Sequence, residues 1–315
     1  MLWTTFRGQM LVAIIFVAVI AALLVAAGWI LIRALYRKLT GRPAPRRWRW
    51  ARRAVVAAAA VGLACVAYGY FLEPYWLEVT HVRITSPKLA PGSRPIRIVH
   101  FSDLHCEDRP HLEQRVVEVI AELKPDIIAF TGDAANSRAG MQRFRQCASR
   151  LATVAPTFVV QGNWDLWQEM DDYVAGTGAT ELTGQAVKLE VGGSEVWLVG
   201  AAVGQWDKVE RALATVPTSA LSIVLYHYPD EVRRAAAAGA DLYLAGHTHG
   251  GQVALPFYGA MVTLSRHGKT FERGLHRVGK TTLYVNRGIG MEGSIVPRIR
   301  FMARPEVAVI EICPG

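Results

Sequence analysis

Leu242-Tyr243-Leu244-Ala245-Gly246-His247-Thr248-His249-Gly250-Gly251-Gln252 decides how the rest of the chain is read. An apolar run stops on a glycine, and two histidines follow on alternate positions. In a strand that continued, alternate side chains would share one face. Where the strand breaks into a glycine turn, they can splay towards two neighbouring points. Imidazoles so placed suit a pair of borderline metal ions.

Four other apolar runs also end in ligand-type residues. Ile96–Phe101 leads to Ser102-Asp103-Leu104-His105, and Ile127–Phe130 leads to Thr131-Gly132-Asp133. Phe158–Gln161 precedes Gly162-Asn163, and Ile223–Tyr226 precedes His227. Stretches with helical spacing lie between the runs: His111–Leu123, Met141–Leu151, Asp165–Val174, Val209–Ala214 and Asp230–Ala238. Pro125 stops the first of these before a strand over Asp126–Phe130. Strands are also expected at Thr157–Gln161, Leu221–Tyr226 and Asp241–Ala245. Val187–Val191 and Val196–Val199 form a hairpin through Gly192-Gly193-Ser194. The last part is β-rich, with strands at Gln252–Leu255, Thr270–Gly274, Thr281–Asn286 and Val307–Ile312. Alternating strands and helices followed by extra strands imply an α/β domain with more than one sheet. Ligands of such folds gather at the carboxyl ends of strands, where all these residues sit.

The 51% hydrophobic content has a local source. No charge interrupts the 25 residues between Arg7 and Arg33, nor the 19 between Arg53 and Glu73. Both runs are long enough to span a bilayer, over about 8–32 and 54–72. Residues 1–72 therefore read as a transmembrane helical hairpin, 73–95 as a juxtamembrane tether with a first strand at His81–Ile84, and 96–315 as the α/β domain that carries the ligand-type residues. Ten of the 35 basic residues and no acidic residue lie in 1–72, leaving 25 basic against 26 acidic elsewhere. The net charge of +9 thus belongs to the anchor, which argues against a nucleic-acid partner. Nine of those ten cluster from Arg33 to Arg53, a short loop that should stay in the cytoplasm. The domain would then face the periplasm or cell exterior from the cytoplasmic membrane. The four cysteines form no Cys-x-x-Cys pair and read as ordinary thiols.

Taken in order, Asp103-Leu104-His105, Gly132-Asp133, Gly162-Asn163, His227 and Gly246-His247-Thr248-His249 resemble the five motifs of the calcineurin-like metallophosphoesterases. Leu283–Gly290, Pro297-Arg298 and Arg304-Pro305-Glu306 look like its membrane-associated bacterial YkuE/YaeI-like branch. The resemblance covers roughly 95–315 and implies two packed β-sheets flanked by helices, with a dinuclear metal centre at the strand ends. It implies Asp103, His105 and His249 on one ion, Asn163, His227 and His247 on a second, and Asp133 bridging both. Two divalent cations a few ångströms apart would lower the pKa of a bridging water, orient phosphate oxygens and stabilise in-line displacement. The mixed nitrogen and oxygen donors suit Mn, Fe or Zn.

One departure bears on mechanism. The family usually has His after the motif Asn, thought to protonate the leaving group, whereas this chain has Trp164. Indole donates a hydrogen bond but supplies no titrating proton near neutral pH. Trp164 reads either as a core aromatic or as a platform for a base, sugar or acyl group. His267 is a substitute acid candidate. His100 reads as a packed or supporting residue, His111 as a helix start, His81 as tether and His276 as a strand-end surface residue. Arg287 is read as a phosphate contact or a structural ion pair, and Asn136, where the branch often has Asp, is given little weight. Phe257, Tyr258 and Met261 read as core before lipid contacts. The expected activity is metal-dependent hydrolysis of a phosphodiester or pyrophosphate, of a lipid or another small membrane-proximal substrate. The alternatives are a phosphomonoesterase, a UDP-diacylglucosamine-type pyrophosphatase, whose cytoplasmic substrate fits the topology poorly, and a non-catalytic metal-binding membrane scaffold.

Overall fold

The computed structural model describes residues 6–43, 46–168, 173–292 and 298–315. Ala44 and Pro45 between the two apolar runs, part of the Asp165–Val174 stretch, and Pro297 lie outside them. Two long helices come first, α1 (Phe6–Leu39) and α2 (Arg49–Phe71), followed by β1 (Glu78–Ser86) and β2 (Ile96–Phe101). Next are α3 (Glu113–Glu122), β3 (Ile127–Phe130), α4 (Arg138–Ala152), β4 (Thr157–Val159), α5 (Asn163–Trp167) and β5 (Thr180–Glu181). Then follow β6 (Ala186–Val191), β7 (Ser194–Gly200), α6 (Trp206–Leu213), β8 (Leu221–Leu225), α7 (Val232–Ala237) and β9 (Leu242–Ala245). The chain ends with β10 (Ala254–Leu255), β11 (Gly259–Ala260), β12 (Gly274–Val278), β13 (Thr281–Val285) and β14 (Glu306–Pro314).

The strands build two six-stranded sheets, ordered β1-β14-β2-β3-β4-β5 and β12-β13-β9-β8-β7-β6. Side-chain parity explains why they stack. In β2, Ile96 and Ile98 face Leu242, Leu244, Ile223 and Leu225 of the other sheet, while Val99 and Phe101 face α3 and α4. In β8 and β9, Val224, Tyr243 and Ala245 turn outward beneath α6 and α7. Central strands are thus buried on both faces and read as continuous apolar runs rather than alternating ones. The fold is α/β, with two mixed sheets flanked by helices. Helix α3 presents Val116, Val117 and Ile120 to its sheet, and α4 starts where the Ser137 hydroxyl accepts the Gly140 amide at 3.0 Å.

Some sequence expectations are corrected. The helix expected over Asp165–Val174 is one short turn, Asn163–Trp167, with turns again from Tyr173. The strand expected at Thr270–Gly274 is a 3-10 turn, Gly268–Phe271, and the strand starts at Gly274, whose φ of +79° suits the change of direction. His276 is accordingly mid-strand rather than terminal. The strand expected at His81–Ile84 is longer, Glu78–Ser86, and runs parallel to β14 with His81 inside it.

Helices α1 and α2 are each long and apolar enough to cross a membrane. Their outer faces expose Ile14, Val17, Val25 and Ile32 on α1 and Val61 and Leu63 on α2. Apolar surface of that extent marks a membrane or partner contact. All four cysteines are free.

Candidate metal centre

The carboxyl ends of β2, β3 and β4 meet those of β8 and β9, and the candidate ligands cluster there. Eleven non-glycine residues among those described have positive φ, and five of them are candidate ligands: Asp103 (50°), His105 (44°), Asp133 (59°), His247 (69°) and His249 (51°). A left-handed backbone costs an L-residue about 1–2 kcal/mol, so this concentration marks strain held by the surrounding fold. Two glycines permit the approach of the loops. A Cβ at Gly162 would run into the Asp133 carboxylate, and one at Gly246 into Ser102 and the Asp103 carboxylate.

Two groups of ligand-type side chains result: Asp103, His105 and His249, and Asp133, His227 and His247. In the first, His105 Nε2 lies 3.2 Å from His249 Nε2, which is 3.5 Å from Asp103 Oδ1. In the second, His227 Nε2 is 3.2 Å from Asp133 Oδ2. The same Asp133 oxygen lies 3.7 Å from His105 Nε2, between the two groups. Asn163 is buried beside them, and its Oδ1 has no hydrogen-bond partner; neither does His227 Nε2. Orphaned buried acceptors are what a cation would satisfy, so the donor set fits a two-metal centre. His247 is the half-exposed member and marks the opening, beside Val262, Leu264 and Gln252.

Surrounding groups aim these ligands. His105 Nδ1 donates to Asn136 Oδ1 at 2.7 Å and His227 Nδ1 donates to the Thr131 carbonyl at 2.7 Å, leaving each Nε2 as the free donor atom. Asp103 accepts the His247 amide on both oxygens at 3.1 Å. Asp165 receives the amides of Asp133, Ala134 and Gly162, each at 2.8 Å, and so shapes the Asp133 loop and the start of α5 together. Arg300 is fully buried; it donates to the Arg287 and Ala303 carbonyls and reaches within 3.4 Å of His249 Nδ1. The sequence reading passed over Asp165 and Arg300 and underweighted Asn136. Asp165 had a local signal, an acid three residues after the helix-starting Gly162; Arg300 had none.

Electrostatics bind the two groups together. Burial lifts Asp103 to about 7, with the Asp133 charge adding to the effect against the opposing His227. Burial would also lift Asp133, but His227 and His105 outweigh it and hold it at about 2. Burial would lower His227, yet Asp133 carries it to about 9. Burial lowers His105, brings His247 to about 4, and holds His249 well below the usual imidazole range. Metal ligation requires the neutral imidazole, so an ion held there would compete with the proton that Asp133 favours on His227.

The remaining candidates sort themselves. Trp164 is no core residue: half-buried, its amide bonds Asp133 Oδ1 at 2.9 Å and its ring edge meets His105 on one side and the exposed Trp167 on the other. A shallow aromatic wall therefore flanks the site, because the short α5 ends before it can turn back into the core. His267 Nε2 donates to the Asp230 carbonyl at 3.0 Å, and its ring meets Phe271. His100 is buried and bonded to Thr131 Oγ1 at 2.9 Å. His111 precedes α3 and packs its ring on Tyr75. Arg287 pairs with Glu78 at 2.8 Å and Glu306 at 3.2 Å, a structural role. Met261 is core, but Phe257 is fully exposed on the β10–β11 turn, where its φ of 63° directs it away from the domain.

Comparison with known proteins bears on this arrangement. A family model described as a calcineurin-like phosphoesterase superfamily domain matches residues 96–289. The chain is 33% identical over 262 residues to the uncharacterized metallophosphoesterase YkuE of Bacillus subtilis, covering 78% of this chain and 89% of that protein. It is 30% identical over 277 residues to phosphodiesterase YaeI of Escherichia coli, covering 83% and 98%. A transmembrane protein with metallophosphoesterase domain from Danio rerio is 28% identical over 82% of this chain and 62% of its own length.

Proposed function

The chain belongs to the calcineurin-like phosphoesterase superfamily, and from that premise we propose a membrane-anchored, metal-dependent phosphodiesterase or pyrophosphatase. Asp103, His105 and His249 would hold one divalent ion and Asn163, His227 and His247 a second, with Asp133 placed between the two groups to serve both. Bound there, the two ions would acidify a water, neutralise phosphate charge and orient its oxygens. The observation that carries this reading is Asp133 Oδ2, 3.2 Å from His227 Nε2 and 3.7 Å from His105 Nε2.

The protein's own residues set the rest of the chemistry. Asn136, Thr131 and Asp165 keep the ligands aimed, and Trp164 lines the wall where the family's usual histidine would stand. The water oxygen bonds phosphorus as the bond to the leaving oxygen breaks. Without a titrating side chain at Trp164, that oxygen departs as an anion, which favours leaving groups of low basicity such as a phosphate or an activated alcohol. The basic segment Arg33–Arg53 keeps the interhelical loop in the cytoplasm, so the domain faces the periplasm or exterior. Helices continuous with the domain favour a substrate in or beside the bilayer, such as a phospholipid or lipid-linked pyrophosphate.

The test uses the full-length chain in detergent, loaded with Mn²⁺, on bis-p-nitrophenyl phosphate and p-nitrophenyl phosphate. Diester turnover that requires metal and is lost in Asp133→Asn and His249→Ala supports the reading. Two bound ions without turnover of either compound would refute it in favour of a binding scaffold.

A further inference from the structure

The membrane helices hold the domain at points bordering the candidate site. Gln9 of α1 is buried, and its Oε1 accepts the Thr263 amide at 2.9 Å and hydroxyl at 3.3 Å. The next residue, Leu264, turns its carbonyl towards His247 Nε2 at 3.4 Å. At the other helix, the Arg300 amide donates to the Gly69 carbonyl at 2.9 Å, Glu73 accepts the Ala303 amide at 2.6 Å, and the Arg300 side chain reaches His249. Two separate contacts thus fix the height of the domain against the helix pair.

The β10–β11 hairpin lies on the bilayer side of that level. Its Leu255 and Val12, Ile15, Phe16 and Val19 of α1 line an open groove of about 320 Å³ with no polar side chain. At 1.5 Å of rise per residue, Val12 to Val19 lie roughly 5–15 Å further along α1 than the docked Gln9. If α1 spans, that depth is within the hydrocarbon. Phe257 at the tip is fully exposed, and the turn is held stiff by Lys269, which donates to the Tyr258 and Ala260 carbonyls and stacks 3.7 Å over the Tyr258 ring. From the hairpin the chain runs through Met261, Val262 and Thr263 to the half-exposed Leu264 at the mouth beside His247.

We propose that the groove between α1 and the β10–β11 hairpin binds an acyl chain of the substrate, with Phe257 embedded in the bilayer as a wedge. This rests on the reading of the protein as a membrane-anchored phosphodiesterase. An apolar tip in water has no stabilising partner, whereas in lipid each buried methylene contributes favourably. The occupant is one hydrocarbon chain, because the groove is continuous with the exposed apolar surface of α1, and the hairpin that forms its other wall leads in sequence to Leu264 at the site mouth. The phosphoester then reaches the ligands while its tail stays in lipid.

Two measurements on the full-length protein in phosphatidylcholine–phosphatidylglycerol nanodiscs test this. First, Phe257→Trp adds emission that lipids brominated on their acyl chains should quench beyond the quenching seen in the unsubstituted protein. Added emission untouched by such lipids would overturn the wedge. Second, Leu255→Trp fills the groove, so the ratio of kcat/KM for hexadecyl p-nitrophenyl phosphate to that for bis-p-nitrophenyl phosphate should fall at least tenfold. An unchanged ratio would overturn the acyl site while leaving the phosphodiesterase reading intact. Failure of the unsubstituted protein on both compounds would instead defeat that reading, and the acyl site with it.

Discussion

Replacing Asn136 with alanine tests whether the support around the ligands matters as much as the ligands. Asn136 Oδ1 receives His105 Nδ1 at 2.7 Å, and its Nδ2 donates to Glu107 at 3.1 Å, so the amide cannot flip without loss. Asn136→Ala leaves a buried imidazole N–H without a partner, at a cost of about 1–3 kcal/mol. It also frees the ring to turn from its metal-facing orientation. Loss of such a supporting partner typically weakens metal binding about 10–100-fold, or about 1.4–2.7 kcal/mol. The effect should fall on the site formed by Asp103, His105 and His249 and spare the other. Asn136→Asp keeps an acceptor for Nδ1 and should stay within about threefold of the parent, since stronger basicity offsets repulsion from Glu107. Titration of the metal-free, full-length protein with Mn²⁺ by calorimetry reads both sites. Two unchanged affinities in Asn136→Ala, or equal weakening of both, would show that Asn136 does not orient His105 for one site.

Two further predictions use other parts of the structure. Trp164→His restores a titratable group beside His105, and it should raise turnover of diphenyl phosphate relative to bis-p-nitrophenyl phosphate by up to about 10²-fold; an unchanged ratio would remove Trp164 from the leaving-group problem. Glu306 lies below the ordinary carboxylate range, because Arg287 and hydrogen bonds from Arg287, Thr80 and Tyr284 outweigh its burial. Its stabilising contribution is therefore complete above about 4.5 and is lost as pH falls through the lower folded value. Glu306→Gln should cost about 3 kcal/mol at neutral pH and flatten the acid limb of Tm against pH. An acid limb as steep as the parent's would contradict the assignment.

Much of this architecture was legible because central strands are buried on both sides. Ile96–Phe101 was read to the residue, since an unbroken apolar run ending at Ser102-Asp103 leaves no other boundary. The same burial made the strand ends visible as the first polar residues after each run, and the candidate ligands lie there. Local periodicity failed where glycine turns and short helices set the path, as at Gly268–Phe271 and Asn163–Trp167. Supporting residues were hidden for another reason. Asn136 meets His105 across 31 positions and Arg300 meets His249 across 51, so nothing in their own neighbourhoods signals the partner. Phe257 was misjudged because an aromatic in an apolar stretch normally packs inward, and only the left-handed turn and the neighbouring α1 reveal that this one does not.

The central claim is that Asp133 joins two ions into one catalytic unit, and electron paramagnetic resonance of the Mn²⁺-loaded, full-length protein addresses it directly. Two Mn²⁺ per chain with an exchange-coupled spectrum are expected, and in Asp133→Asn the loss of both the coupling and diester turnover. An uncoupled spectrum in the parent, or full turnover in Asp133→Asn, would contradict it.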